Sequence, residues 1–206
     1  MMSTSISTGN DYGVRSPSAA AARAIAAVHL LSDPATDEQA VARLLVQHGE
    51  STSLVVTPMD LPGLRTVATA IATLFDLDGV DDCARELNAL LATWAGKPYL
   101  AHEGIGWHLH VDRGENASLA EWLASSSAMA FALLLTRSGQ PPVQRCTAHG
   151  CTQPFLLSTS GAPRRFCSTR CATRMRVSNH RRRRSAQEVE HGGHSTTSTT
   201  TRKGQA

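Results

Sequence analysis

The sequence predicts a mainly α-helical chain in two unequal parts. A helical N-terminal domain with one small β-hairpin comes first, a small C-terminal module with a basic helix follows, and both termini are expected to be disordered. Three observations predict this. Aromatic residues are only 4% of a chain that is 41% hydrophobic, so a core must rely on Ala, Leu and Val, which suits packed helices. Apolar residues recur at three- and four-residue spacings in several long segments. Charge is also divided: residues 1–139 carry 8 Lys+Arg against 15 Asp+Glu, and residues 140–206 carry 12 against 2. An acidic body therefore precedes a cationic segment suited to polyanions, unless the basic tail only improves solubility.

The elements follow in order. Residues 1–17 are rich in Ser, Thr and Gly and read as disordered. SAAAARAIAAVHLLS predicts a helix over 18–31, and DPATDE opens a second over 37–48, stopped by Gly49. STSLVVT before Pro58 reads as one short strand. DLPGLRTVATAIATLFDL aligns Leu64, Val67, Ala68, Ile71, Leu74 and Phe75 on one face. GVDDCARELNALLATWAG does the same with Cys83, Leu87, Leu90, Leu91 and Trp94; Asp81 or Asp82 is placed to cap it and Gly96 to stop it. PYLA and IGWHLHV around HEG read as a hairpin in which Trp107, Leu109 and Val111 alternate with His108 and His110, the two histidines facing solvent. ASLAEWLASSSAMAFALLLTR then predicts a long helix over 118–137. Pro141 and Pro142 mark the boundary between a domain over 18–140 and a module over 143–184; the tail over 185–206 reads as disordered. No stretch approaches the roughly 18–20 apolar residues that span a bilayer, and the polar start lacks a secretory h-region. A cytoplasmic protein without a membrane partner is expected.

Cys83 stands alone on a helix face and reads as a buried small hydrophobe. The other four cysteines form C-x4-C-x15-C-x3-C: Cys146, Cys151, Cys167 and Cys171. Two close pairs separated by a loop match a structural Zn2+ site, one ion per chain, each pair supplying two thiolates to a tetrahedron. Disulfides compete with this reading but suit another compartment. A thioredoxin-type motif is C-x-x-C, which neither pair has. His149 lies between the first pair and is a spare. The module has few large apolar residues, so metal ligation is expected to supply what its core cannot.

The arginines cluster around the second pair. Arg164 and Arg165 precede Cys167, and residues 168–184 lack Gly and Pro and predict a helix. Arg170, Arg174, Arg181 and Arg184 fall on one broad face, and Arg176, Arg182 and Arg183 belong to the same helical run. The arginine fork suits phosphate or a guanine edge, so these nine arginines are the expected nucleic-acid contacts. Charge alone does not separate DNA from RNA.

Residues 145–184, RCTAHGCTQPFLLSTSGAPRRFCSTRCATRMRVSNHRRRR, resemble the CGNR zinc finger of bacterial proteins. RRFCS (164–168) matches its Arg-Arg-aromatic-Cys-Ser element. CATR (171–174) stands where the name-giving tetrad would be, with Ala172 and Thr173 in place of Gly and Asn. In that family the finger usually follows a helical domain called ABATE, which residues 19–140 resemble in layout, with ELNALLA (86–92) the most similar local stretch. The resemblance implies a zinc-dependent, DNA-binding transcription regulator of a kind described as stress-induced. Its helical domain would sense a small-molecule effector or mediate assembly, for instance as a homodimer, although no heptad run marks one. An RNA- or protein-binding adaptor is the alternative. No Gly-rich phosphate loop, nucleophile elbow or HExxH is present, and a site from His102, Glu103, His108 and Asp112 is the remaining enzymatic reading; the expectation is that the protein is not an enzyme.

Overall fold

The computed structural model describes residues 16–52, 54–103, 106–114, 117–157 and 164–192. Of the segments expected to be disordered, 1–17 and 185–206, residues 1–15 and 193–206 lie outside them, whereas Pro17 and residues 185–192 are helical.

Among the described residues there are six α-helices and two antiparallel hairpins. Helix α1 spans Pro17–Leu31; Ser16 caps it by accepting from the Ala19 amide, and Pro17 takes the first helical position, where its missing N–H costs nothing. Helix α2 spans Glu38–Gln47 and is capped by Asp37, whose Oδ1 accepts from the Ala40 amide at 2.7 Å. The strand expected over 51–57 does not form among its described residues, 51–52 and 54–57. Val56 is buried but Val55 is 76% exposed, and a lone extended segment has no ladder partner to fix it. Thr57 and Asp60 form a capping box around a 3₁₀ turn, Pro58–Asp60, which leads into α3, Leu61–Ala72. The expected helix then tightens to 3₁₀ over Thr73–Asp76.

Helix α4 spans Val80–Trp94. Its N-cap is Gly79, so Asp81 and Asp82 sit in the first turn, where they favour the positive helix end without capping it. Strands β1 (Tyr99–Glu103) and β2 (Gly106–His110) pair with Leu100 opposite Leu109. The alternation there does not bury a face: Trp107 is 71% exposed, because a two-stranded ribbon has no layer over that side.

Helix α5, Leu119–Ser138, has a full capping box between Ser118 and Glu121. It packs against α1, α3 and α4 and buries Leu123, Ala128, Phe131 and Leu134. By length and composition it could cross a bilayer, against the expectation that no segment qualifies; 44% of its apolar stretch is buried inside the fold. One charged pair lies inside the body. Arg23 pairs with Glu50, donates to Ser126 Oγ at 2.8 Å and places its guanidinium 4.3 Å from the Trp122 ring centre.

The proline pair is not a free linker. Pro141 and Pro142 are buried, and strands β3 (Val143–Arg145) and β4 (Pro154–Leu156) form a hairpin that the sequence did not signal. Val143 is fully buried in the main core and Leu156 packs against it. Helix α6 then runs from Thr169 to Gly192, continuing beyond the expected end at Arg184.

Candidate metal centre and basic helix

The two cysteine pairs reach one point because three short structures aim them there. Cys146 follows β3 directly, and its amide donates to the Gln153 carbonyl at 2.9 Å across the hairpin. The chain then turns tightly, with the Cys151 amide bonded to the Ala148 carbonyl at 2.9 Å. Gly150 makes that turn at a φ of 69°, a left-handed conformation that side-chain-bearing residues disfavour. The second pair is brought in by Thr147, whose amide and hydroxyl both donate to the Arg165 carbonyl at 3.0 Å. Ser168 Oγ accepts from the Cys171 amide at 3.3 Å and so caps the start of α6. Cys171 thus lies in the first turn of the helix, as the sequence suggested.

All four sulfurs lie within 4.8 Å of one another. Cys167 Sγ is 3.8 Å from Cys151 Sγ and 3.7 Å from Cys171 Sγ. A tetrahedron with Zn–S near 2.3 Å has S–S edges of about 3.8 Å. The donor set fits the ion, and none of the five cysteines is in a disulfide.

The proton balance points the same way. Burial pushes the Cys146 thiol up, but the Cys167 and Ala148 amides and the thiols of Cys167 and Cys151 outweigh it and bring it down to about 7. Cys167 moves oppositely, pushed up to about 12 by burial and by its three sulfur neighbours against the Ser168 hydroxyl. One thiolate forms readily here and further ones repel it, so a dication is what allows all four to ionise. The four cysteines are a structural zinc site, holding one ion per chain; four thiolates close the coordination shell.

A family model described as CGNR zinc finger matches residues 143–184. This segment is a CGNR zinc finger. A search of curated proteins finds no match to the chain. The finger has its own small core of Cys146, Ala148, Phe155 and Cys171, with Leu157, Phe166 and Met175 against it. Ala172 and Thr173 leave the four ligands and this core intact.

All nine arginines singled out from the sequence are exposed, and two of them also build the finger. Arg164 donates to the Cys167 carbonyl at 3.1 Å and lies 5.5 Å from the Phe155 ring centre. Arg174 Nη2 is 3.8 Å from Cys171 Sγ. Cys171 and Met175 form the docking stripe of α6. At about 100° per residue, Arg170, Arg174, Arg181 and Arg184 share one flank, Arg176 and Arg183 lie on the other, and Arg182 points along the stripe beyond the finger's edge.

His149 is exposed and gives the site only its amide, which donates to Met175 Sδ at 3.4 Å. Cys83 is buried on α4, where burial pushes its thiol up. The side chains of Glu103 and His108 lie outside the description. His102 stands edge-on to Trp107 with ring centres 5.3 Å apart. The expectation that His110 faces solvent is corrected: its side chain is only 14% exposed and its Nδ1 is 3.2 Å from Asp112 Oδ2, because the chain after β2 turns back towards the body.

Proposed function

We propose that this protein is a zinc-dependent, DNA-binding transcription regulator of the cytoplasm and not an enzyme. The observation that carries the reading is the placement of Cys171. One residue is both a zinc ligand and part of the first turn of a helix whose exposed surface carries seven of the nine arginines, so metal ligation fixes where the cationic helix starts and points. From Cys171 to Arg184 the helix rises about 20 Å, enough to lie along a major groove. The helical body, ABATE-like in layout, would serve as the sensing or assembling half. In the finger itself, zinc when bound crosslinks the two cysteine pairs; Thr147 holds the Arg165 carbonyl, Met175 seats the helix, and the arginines meet phosphates and base edges.

Fluorescence anisotropy of zinc-loaded protein with duplex DNA across salt tests this. Each phosphate contact is expected to contribute about 0.9 to the log–log salt slope. Absence of duplex binding at low salt removes the proposal, and a strong preference for RNA over duplex favours the adaptor reading.

A further inference from the structure

The helical body has an open cleft of about 610 Å³ between residues 54–60, the end of the β1–β2 hairpin and the start of α5. That volume suits one drug-sized or smaller molecule. The wall divides by chemistry. Leu54, Val55, Leu119 and Trp122 give an apolar side, and Tyr99, Asp60 and Asp112 bring polar groups to the same space.

Asp112 is held firmly at this cleft. Its Oδ1 accepts from the Tyr99 hydroxyl at 2.9 Å and from the Gly114 amide at 2.8 Å, while His110 faces Oδ2 at 3.2 Å. The Tyr99 and His110 rings stack with centres 5.2 Å apart. Asp60 is fixed by Thr57, whose amide and hydroxyl donate to Oδ2 at 2.8 and 2.7 Å. Among the described residues that line the cleft there are two carboxylates and no Lys or Arg.

One feature opposes a cationic preference. The start of α5 carries positive helix-end charge, which would favour an anion. Glu121 already occupies that end, with Oε2 accepting from the Ser118 amide at 2.9 Å and its hydroxyl at 3.0 Å. The nearest arginines are also engaged: Arg113 bonds Glu121 and the Thr93 carbonyl, and Arg23 is paired with Glu50. The carboxylates therefore set the sign.

We propose that this cleft binds a small organic cation, an aromatic or apolar body bearing a protonated amine, with the ring on the Trp122–Leu119 side and the ammonium near Asp112 and Asp60. The proposal rests on reading the helical body as the sensing half.

The test uses full-length, zinc-loaded protein and three probes of one shape: phenethylamine, phenethyl alcohol and 3-phenylpropionate. Binding is read from the Trp122 indole and Tyr99 ring signals by NMR. With about ten heavy atoms, phenethylamine is expected to saturate in the millimolar range, at least about tenfold tighter than the propionate. Asp112→Asn should abolish the preference for the amine over the alcohol. Should that variant misfold, Val55→Arg serves instead: it puts a cation on a highly exposed rim position and should weaken the amine about tenfold while leaving the alcohol unchanged. No saturable shift up to about 20 mM amine, equal binding of amine and propionate, or indifference to both substitutions overturns the proposal. A parallel duplex-DNA titration keeps the two readings apart, since DNA binding without amine binding removes only the cleft.

Discussion

Arg145 Nη2 donates to Asp76 Oδ2 at 2.9 Å, joining residues 69 apart in sequence. Arg145 stands directly before the zinc ligand Cys146 and also donates to the Thr152 carbonyl at 3.1 Å. Asp76 ends the 3₁₀ turn after α3, and the Arg145 guanidinium lies 5.9 Å from the Phe75 ring centre. Together with Val143 in the main core, this fixes the finger to the helical body at the residue where the metal site begins.

The pair is half-exposed, so its energetic weight is modest. A double-mutant cycle with Arg145→Ala and Asp76→Asn should give a coupling of about 0.2–1 kcal/mol that shrinks with added salt. The Arg145 hydrogen bond holds the Asp76 carboxyl below its usual range, against a small opposing effect of burial. Its stabilisation is present above the unfolded-state pKa and is lost as pH falls through the lower folded-state pKa. Thermal melts of the four cycle members between neutral and acid pH check both points, and a coupling that grows on acidification contradicts them.

Zinc removal should separate the two parts. A chelator, or Cys167→Ser, is expected to unfold the finger and α6 while the helical body keeps its cooperative melt. Hydrogen exchange reads this directly, with protection lost over residues 143–192 and retained on α5. Zinc affinity should rise with pH, because the Cys167 thiol is held protonated at neutrality and must release its proton to bind. Protection of α6 that survives complete metal removal would falsify this account.

Arg174 and Arg182 lie on the same helix but should behave differently. Arg174 Nη2 approaches the Cys171 sulfur, whereas Arg182 donates to Asn179 Oδ1 at 3.0 Å, away from the metal. Arg174→Ala is expected to lower zinc affinity about tenfold or more through loss of a ligand-supporting contact; Arg182→Ala should leave it unchanged. Competition against a chromophoric chelator measures both, and equal affinities would show that Arg174 serves only as surface charge.

How far the sequence led differs between the two halves. The helices α1 to α5 were visible because α3 and α4 have a periodic apolar face, α1 is rich in Ala, α2 is framed by DPATDE and Gly49, and α5 is a long apolar run, and the metal ligands were visible because thiol spacing survives without any knowledge of the fold. The β3–β4 hairpin was not, since strands of three residues are too short for alternation to register. The Arg145–Asp76 pair and the Val143 anchor were hidden for a different reason. Both depend on where the hairpin lands on the body, which no local pattern encodes. The segment around Val55 reads as a strand by composition, yet strand formation needs a partner and none pairs with it among the described residues. His110 looked solvent-facing by alternation, but the turn at Asp112–Gly114 carries it into contact with a carboxylate.

The buried pair in the body gives a larger effect than the exposed one. The Arg23 and Glu50 side chains are 8% and 12% exposed. Burial pulls the Arg23 guanidinium's proton affinity down and Glu50 opposes it. Glu50→Ala leaves that cation buried with Ser126 and the Trp122 face as remaining partners, and should cost about 3–5 kcal/mol. Replacing both residues with apolar side chains of similar size should recover much of the loss. Urea unfolding of the single and double variants decides the matter, and a single-variant cost near zero would mean water enters to solvate Arg23.

Gly96 links the end of α4 to the cleft. A Cβ built there would lie 2.5 Å from the Asp112 carbonyl oxygen and 3.1 Å from the Arg113 Cα, both backbone atoms that cannot rotate away. The Gly96 amide meanwhile donates to the Val111 carbonyl at 2.7 Å, so the two segments are held in contact. Gly96→Ala should therefore push the 111–113 segment outward at a cost of about 1–3 kcal/mol. The displacement would move Asp112 away from the Tyr99 hydroxyl, so phenethylamine affinity should fall in the same variant, whereas zinc content should not change. Stability and amine binding that both match the parent protein would show that the close approach at Gly96 is relieved by backbone movement elsewhere.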